Sequence, residues 1–450
     1  MRGGAFLALR QGVGVVIGVV GVLLLTRRIG PASYGLYAAA FGVFAYLQNL
    51  TLCGINVYLV RREGDDQREV WDQASTLLLV LSVAGAAVAV AASPLLERLV
   101  RLDGFMPVAR SMFLLLPVVL LGQVALARLE RALDFRRVAL IELGGQLLFF
   151  ALALPLAFRG FGVWAPTLGW LAQQLFLTGA LLAGARYWPR LQWNGARLRE
   201  MIAYGVSFSS SSWAWHLRTL VNPVVVGRFA GAEAVGVVAL TIRLVEHLSF
   251  VKTATWRLSI AALGRLQGDL PRLRRAISEG ISLQLVALGP LLALFGWIAP
   301  WLVPRFFGPR WLPVLDVYPF VALGYLVNAT FSLHSSALYV LRRNWDVATF
   351  HVAHVALFAA AASLLVPRFG VIGYGLAEVA ALPSYVMLHR QLTSRVGAPR
   401  YGPAVMWTLA FGGALFYRYA WWASLGLLLV PLVPSSRGEL ASIRKGLQKA

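Results

Sequence analysis

The chain is built from apolar runs of about twenty residues, recurring roughly every thirty, and that rhythm limits its possible folds more than any motif does. The first run covers residues 5–26 and the last 420–434, and together they make about fourteen stretches long enough to cross a hydrocarbon core as helices. Inside a bilayer every backbone N–H and C=O must find a partner within the protein, which leaves helices or a closed barrel. These runs are continuous rather than alternating, so helices are expected. The two closing runs, 403–417 and 420–434, are short, and they read equally as two spans or as a re-entrant pair.

Of the 450 residues 59% are hydrophobic and 13% are charged. Mean hydropathy is +0.70. A soluble chain of this size is far more polar, so the composition describes a polytopic membrane protein. The net charge of +22 would suggest nucleic acid in a soluble protein. Here the Arg and Lys residues concentrate in short connections on the side of the N-terminus, where they set orientation, so both termini are expected to be cytoplasmic and no nucleic-acid partner is. Cys53 stands alone, which excludes an intrachain disulfide and a cysteine-based metal site. The first run holds Arg10 and Gln11 and has no clear small-residue cleavage site, so it reads as a retained helix.

Residues 186–200 carry Pro189, Asn194 and Gly195 and form the longest polar interruption. They divide the chain into a six-helix lobe over 1–185, a cytoplasmic linker, a second six-helix lobe over 201–392, and an extra helix pair with a cytoplasmic tail over 393–450. The halves echo one another. The segment from Arg28 to Ala38 matches Arg228 to Ala239 with one insertion, and Phe161-Gly162-Val163 matches Phe369-Gly370-Val371. Six helices separate each pair, an even number, so the repeats would be parallel about an axis along the membrane normal, with the substrate path between them.

Between Tyr204 and Leu263 lies a hairpin that carries ionisable groups deep in apolar surroundings. Arg218 precedes its turn, near Ala230 to Glu233, by about twelve residues and Arg243 follows by about as many, which puts both roughly 18 Å from one surface. Two guanidinium groups in a low dielectric repel unless an anion lies between them, so the pair calls for Glu246, a bound phosphate, or both. Pro223 is expected to kink the first arm.

Three segments complete a pattern: Asn222-Pro223 through Gly231, Leu263-Gly264-Arg265-Leu266-Gln267-Gly268-Asp269, and Phe307-Gly308-Pro309-Arg310-Trp311-Leu312-Pro313. With the block from Arg28 to Arg61, they resemble the bacterial polysaccharide transport family, the Wzx-type flippases of the multidrug/oligosaccharidyl-lipid/polysaccharide exporter superfamily, over nearly the whole chain. The resemblance implies two six-helix bundles around a central cavity. It also implies transfer of a polyprenyl-pyrophosphate-linked oligosaccharide from the cytoplasmic to the periplasmic leaflet of the inner membrane, for cell-surface polysaccharide such as lipopolysaccharide, alongside polymerase and chain-length proteins. Asn222 stands where many relatives carry an acidic residue, so coupling is not assigned to it.

Such a substrate needs cations for its diphosphate and polar groups for its sugars. Arg243, His247 and Arg257 share a face of the second arm with Phe250 and Ala254, flanked by Glu246. Ser207, Ser211, Trp215, Arg218 and Asn222 form a comparable stripe on the first arm. Arg10 and Arg257 provide basic groups near the cytoplasmic mouth. Against this stand plainer roles: a structural ion pair of Arg218 and Arg243 with Glu246, and snorkelling of Arg10, Lys252 and Arg257 to the interface. Glu246 and Glu378 are the candidates for ion coupling. Glu142, His334, His351 and His354 are further polar points. His351 and His354 lack a third ligand at suitable spacing, so packed histidines are expected and no metal or other cofactor.

There is no triad, nucleotide-binding loop or dinucleotide fingerprint, so no enzyme is expected, and transport would draw on an ion gradient or on consumption of the product outside. The alternatives are a drug or other lipid exporter of the same superfamily and a membrane-embedded polysaccharide polymerase or ligase. The bias toward arginine argues against a drug exporter and the short external connections against the enzyme, while a lipid scramblase or peptidoglycan-precursor flippase stays open, because basic residues recognise the diphosphate in all of them.

Overall fold

The computed structural model describes residues 2–62, 68–250, 259, 262–430 and 433; among these, the side chains of 2–13, 15, 16, 207, 208 and 211 are not described. All regular structure among the described residues is helical. Among the described residues six helices are long and apolar enough to cross a membrane: Arg68–Val100, Phe135–Phe158, Ser212–Leu248, Leu270–Phe307, Val314–Val340 and Asn344–Val396. Two bent pairs add to them, Ile17–Leu52 with Ile55–Arg61 at 47°, and Phe105–Phe113 with Leu116–Arg131 at 40°. Side chains such as Val88 and Leu409 lie open at 68% and 69% exposure, as lipid-facing surface requires.

The turn expected near Ala230 to Glu233, like two others, is a break of a single residue, so adjacent helices run on with scarcely a loop. Gly30 (φ 76°, ψ 171°) divides Arg2–Leu52, Gly231 (φ 81°, ψ 179°) divides Gly227–Leu248, and Gly370 (φ 57°, ψ −133°) divides Asn344–Ala381. A side chain at such a φ would be strained, which explains the glycines. Other helices start on side-chain caps: Asp134, Asn194 and Asp269 accept from the backbone N–H of Arg137, Arg197 and Arg272 at 3.1, 3.3 and 3.0 Å.

Special backbone positions recur in the two halves. Gly30 and Gly231 have almost the same φ and ψ, and Gly162 (φ 53°) corresponds to Gly370. Leu133 and Arg342, at φ 56° and 58°, end their helices with one hydrogen-bond pattern: Leu133 N–H to Glu130 O with Asp134 N–H to Leu129 O, and Arg342 N–H to Tyr339 O with Arg343 N–H to Leu338 O.

The chain forms two compact units, Met1–Gly236 and Val237–Ala450. Residues 186–200 therefore lie within the first. In that unit Phe135–Phe158 packs along Trp164–Gly184, with the Phe149 carbonyl against Gly169. The glycine face of the first helix meets the same partner, Gln146 Nε2 donating to Gly14 O at 2.8 Å and Phe150 lying on Gly21. Small residues here allow close helix approach.

A buried carboxylate organises the connection after Trp164–Gly184. Asp72 Oδ1 accepts from Tyr187 OH at 2.9 Å and from Arg190 N–H at 3.1 Å, while Gln192 N–H donates to Thr76 Oγ1 at 2.9 Å. The ring of Tyr187 also lies under the Arg128 guanidinium, 5.5 Å from its centroid. The segment is thus strapped to the start of Arg68–Val100.

In the second unit the core runs through Ile277, Ile281, Leu285, Leu338, Phe350 and Leu388. The closing helix Gly402–Leu415 lies beside Val314–Val340 between Asp316 and His334. Tyr401, just before it, meets His334 at 2.6 Å, and Arg418, just after it, reaches Asp316 at 3.4 Å. The chain then folds back, setting the Ala423 carbonyl against Gly413 and Ala410 against Gly426.

Candidate functional site

Pro223 brings more than a bend. The helix Gly195–His216 tightens into a 3₁₀ turn at Leu217–Leu220 and then widens into a π turn at Asn222–Val226 before resuming at Gly227. Proline has no N–H for the regular ladder, and departures of this kind inside long helices cluster at functional positions. Arg218 sits in the 3₁₀ turn, partly exposed, with its guanidinium carbon 5.5 Å from the centroid of the Trp215 ring. The two stripe residues are thereby held together by a cation–π contact.

Asn222 points elsewhere. It is 8% exposed and its Nδ2 donates to Val235 O at 3.2 Å, tying the first arm to the start of the second across Gly231. Its Oδ1 is buried without a hydrogen-bond partner among the described residues. Ser207 and Ser211, the remaining members of the stripe, have side chains outside the description.

On the second arm Arg243, Glu246 and His247 are all exposed. His247 Nδ1 lies 2.6 Å from Arg243 O. A carbonyl only accepts, so Nδ1 carries the proton, and a neutral ring then offers Nε2 as an acceptor. Glu246 Oε1 accepts from Tyr325 OH at 3.1 Å. Tyr325, on Val314–Val340, is a partner of Glu246 that the sequence reading missed. Its signal was present as a hydroxyl in the middle of an apolar run, but its link to Glu246 spans 79 positions and no local pattern announces it.

Arg218 belongs to the first unit and Arg243 to the second. Arg257 and Lys252 fall outside the described residues, and the side chain of Arg10 outside the described side chains. Glu378, the other carboxylate considered for coupling, is 2% exposed, with Oε2 on the side of Gly324, which leaves room for it. The histidines pack in hydrogen-bonded contacts. Tyr401 OH lies between His334 Nε2 and His389 Nδ1 at 2.6 and 2.8 Å, and His354 Nδ1 meets Ser384 Oγ at 2.8 Å. Among the described residues no three His, Cys, Asp or Glu side chains converge as a metal site would require.

The sequence also finds relatives. It is 24% identical over 305 residues to the succinoglycan biosynthesis transport protein ExoT of Rhizobium meliloti, covering 68% of this chain and 62% of that one. It is 24% identical over 320 residues to the lipopolysaccharide biosynthesis protein WzxC of Escherichia coli, covering 68% and 63%. The matched region is thus a little over three fifths of each relative's length. Among solved structures the fold is similar to the lipid II flippase MurJ in an inward closed conformation, with TM-score 0.75, 12% identity and coverage of 98% and 99%. It is also similar to an inward-facing multidrug transporter of the MATE family, with TM-score 0.68, 15% identity and coverage of 86% and 98%. The family described as polysaccharide biosynthesis protein matches residues 24–316, well over half of the chain. This accords with the resemblance read from the Arg28 block and the Asn222-Pro223 segment, and the chain belongs to that family of polysaccharide biosynthesis proteins.

Proposed function

We propose that the protein is a flippase of the bacterial inner membrane that moves a polyprenyl-pyrophosphate-linked oligosaccharide from the cytoplasmic to the periplasmic leaflet by alternating access. The observation that carries this reading is the chemistry of the irregular hairpin in a polysaccharide-family chain. Arg218 over Trp215 on one arm, and Arg243 beside His247 and Glu246 on the other, are cationic and polar groups on apolar helices. Intramembrane charge of this kind marks a substrate path more often than packing. A guanidinium gives planar, paired donors to a phosphate, and an indole face suits the apolar side of a sugar ring.

Gly231 lies thirteen residues after Arg218 and twelve before Arg243, so in helical arms both arginines would stand about 18–20 Å from the turn. The recurrence of Gly30 and Gly162 backbone geometry at Gly231 and Gly370 supports two repeats, divided as 1–185 and 201–392, with 393–450 appended. Glu246 and Glu378 are the groups proposed for ion coupling, and partners would be the enzymes that polymerise the exported glycan and set its length.

The test is the leaflet sidedness of the lipid-linked glycan in inverted membrane vesicles, comparing intact protein, a deletion, Arg218→Ala and Arg243→Ala at equal expression. Transfer to the lumen should vanish in the deletion and fall at least tenfold in each variant, the loss of one charged hydrogen-bonded contact being about 1.5–3 kcal/mol. Unchanged sidedness with altered polymer length would instead place the protein among polymerases or their assembly partners.

A further inference from the structure

Beside the charged face of the second arm, Val314–Val340 carries a row of polar side chains on one partly exposed face. Tyr325, Asn328, Ser332 and Ser335 are separated by three, four and three positions, which places them within an arc of about 80° on one face. All four are partly exposed, whereas Leu326, Ala329, Leu333 and Ala337 are buried at 0%, 0%, 3% and 0%. A face of phenol, amide and hydroxyls does not turn to hydrocarbon; it faces protein or water.

Three of the four are each held by a different neighbouring helix. Tyr325 OH donates to Glu246 Oε1 at 3.1 Å. Asn328 Nδ2 donates to Tyr385 OH at 2.7 Å. Ser332 Oγ contacts Gln284 Oε1 at 2.8 Å, and Gln284 itself is 3% exposed. Side chains fixed in this way, yet still partly open, have the preorganisation of a binding surface. An amide and hydroxyls, each with both donor and acceptor capacity, match the hydroxyls of a sugar and offer no counter-charge to a phosphate. The Tyr325–Glu246 contact joins this stripe to the turn that bears Arg243 and His247.

We infer that Tyr325, Asn328 and Ser332 form a sugar subsite that holds the first residues of the glycan while the arginine region holds the diphosphate. The inference rests on the flippase reading above and deepens it. It is tested by binding to the purified full-length protein in nanodiscs, with two kinds of probe. One is bare undecaprenyl diphosphate. The other is undecaprenyl diphosphate bearing tetrasaccharides of neutral hexoses and N-acetylhexosamines.

The wild type should bind at least one glycosylated probe more tightly than the bare lipid. Asn328→Ala and Ser332→Ala should each remove about fivefold of that margin, as the loss of one hydrogen bond implies, and leave the Kd for bare lipid unchanged. The subsite is refuted if no glycan adds affinity, or if the margin survives both substitutions, in which case the stripe only joins helices. It is refuted equally if both probes weaken together with a lower thermal midpoint. Binding of neither kind of probe by the wild type would overturn the flippase reading itself and the subsite with it.

Discussion

Gly35 and Gly236 meet backbone to backbone, each leaving no space for a side chain on the other's helix. A Cβ on Gly35 would strike Ala232 O and come within 2.6 Å of Gly236 N, and a Cβ on Gly236 would strike Pro31 O and come within 3.1 Å of Gly35 N. Pro31 and Ala232 each stand four residues before their own glycine, just past the paired breaks at Gly30 and Gly231, so the contact is reciprocal. Gly35→Leu or Gly236→Leu must push the two helices apart at this point. Overpacking of this kind costs about 1–3 kcal/mol or more. The expected result is a clear fall in thermal midpoint together with loss of glycan transfer, measured on one preparation; a variant with normal stability and transfer would mean that the helices part freely here.

Pro223→Ala tests the irregular turn. It restores a backbone N–H and permits Leu217–Val226 to relax toward a regular helix, which would rotate Arg218 and Trp215 about the axis. Thermal stability should hold or rise slightly while the vesicle transfer rate falls severalfold. An unchanged rate would assign the turn to shape alone.

Tyr187 gives a pH dependence with a defined sign. Burial, together with its bond to Asp72, holds the phenol well above its ordinary value of 10.0, outweighing the opposing influences of Ser75 and Arg128. A folded-state pKa raised above the unfolded one contributes stability that is complete below about pH 10 and is lost as pH rises beyond it. The thermal midpoint should therefore drop between about pH 9 and 11, and less steeply in Tyr187→Phe. Equal slopes in the two proteins would remove Tyr187 from the account.

Asp72→Ala weakens the strap by a different route, since it removes Oδ1, the one oxygen that accepts from both Tyr187 OH and Arg190 N–H. A cost of about 1–3 kcal/mol is expected for each donor left unsatisfied. Limited proteolysis should then cut between Tyr187 and Gln192 at rates where the wild type resists.

The closing helix lends itself to labelling. Because Gly402–Leu415 runs beside Val314–Val340 from the level of His334 to that of Asp316, single cysteines at Tyr401 and Arg418 in a Cys53→Ser background should react with membrane-impermeant thiol reagents from opposite sides. Labelling of both from one side would favour the re-entrant alternative.

What the sequence alone determined is the helical class, the family and where charge falls within apolar runs. Long apolar runs admit only internally bonded helices in lipid, glycines at Gly30, Gly231 and Gly370 mark backbone that other residues reach only with strain, and Arg218, Arg243 and Glu246 stand out because charge is rare in such surroundings. These are local properties, legible from neighbours along the chain. Tertiary structure decided what those groups meet. Asp72 finds Tyr187 across 115 positions, Glu246 finds Tyr325 across 79, and Asn222 turns from the expected stripe to Val235. It also decided that Gly402–Leu415 runs beside Val314–Val340 between Asp316 and His334. Such partners depend on how helices pack, where a hydrogen bond needs atoms about 3 Å apart, and no period or spacing within one run carries that information.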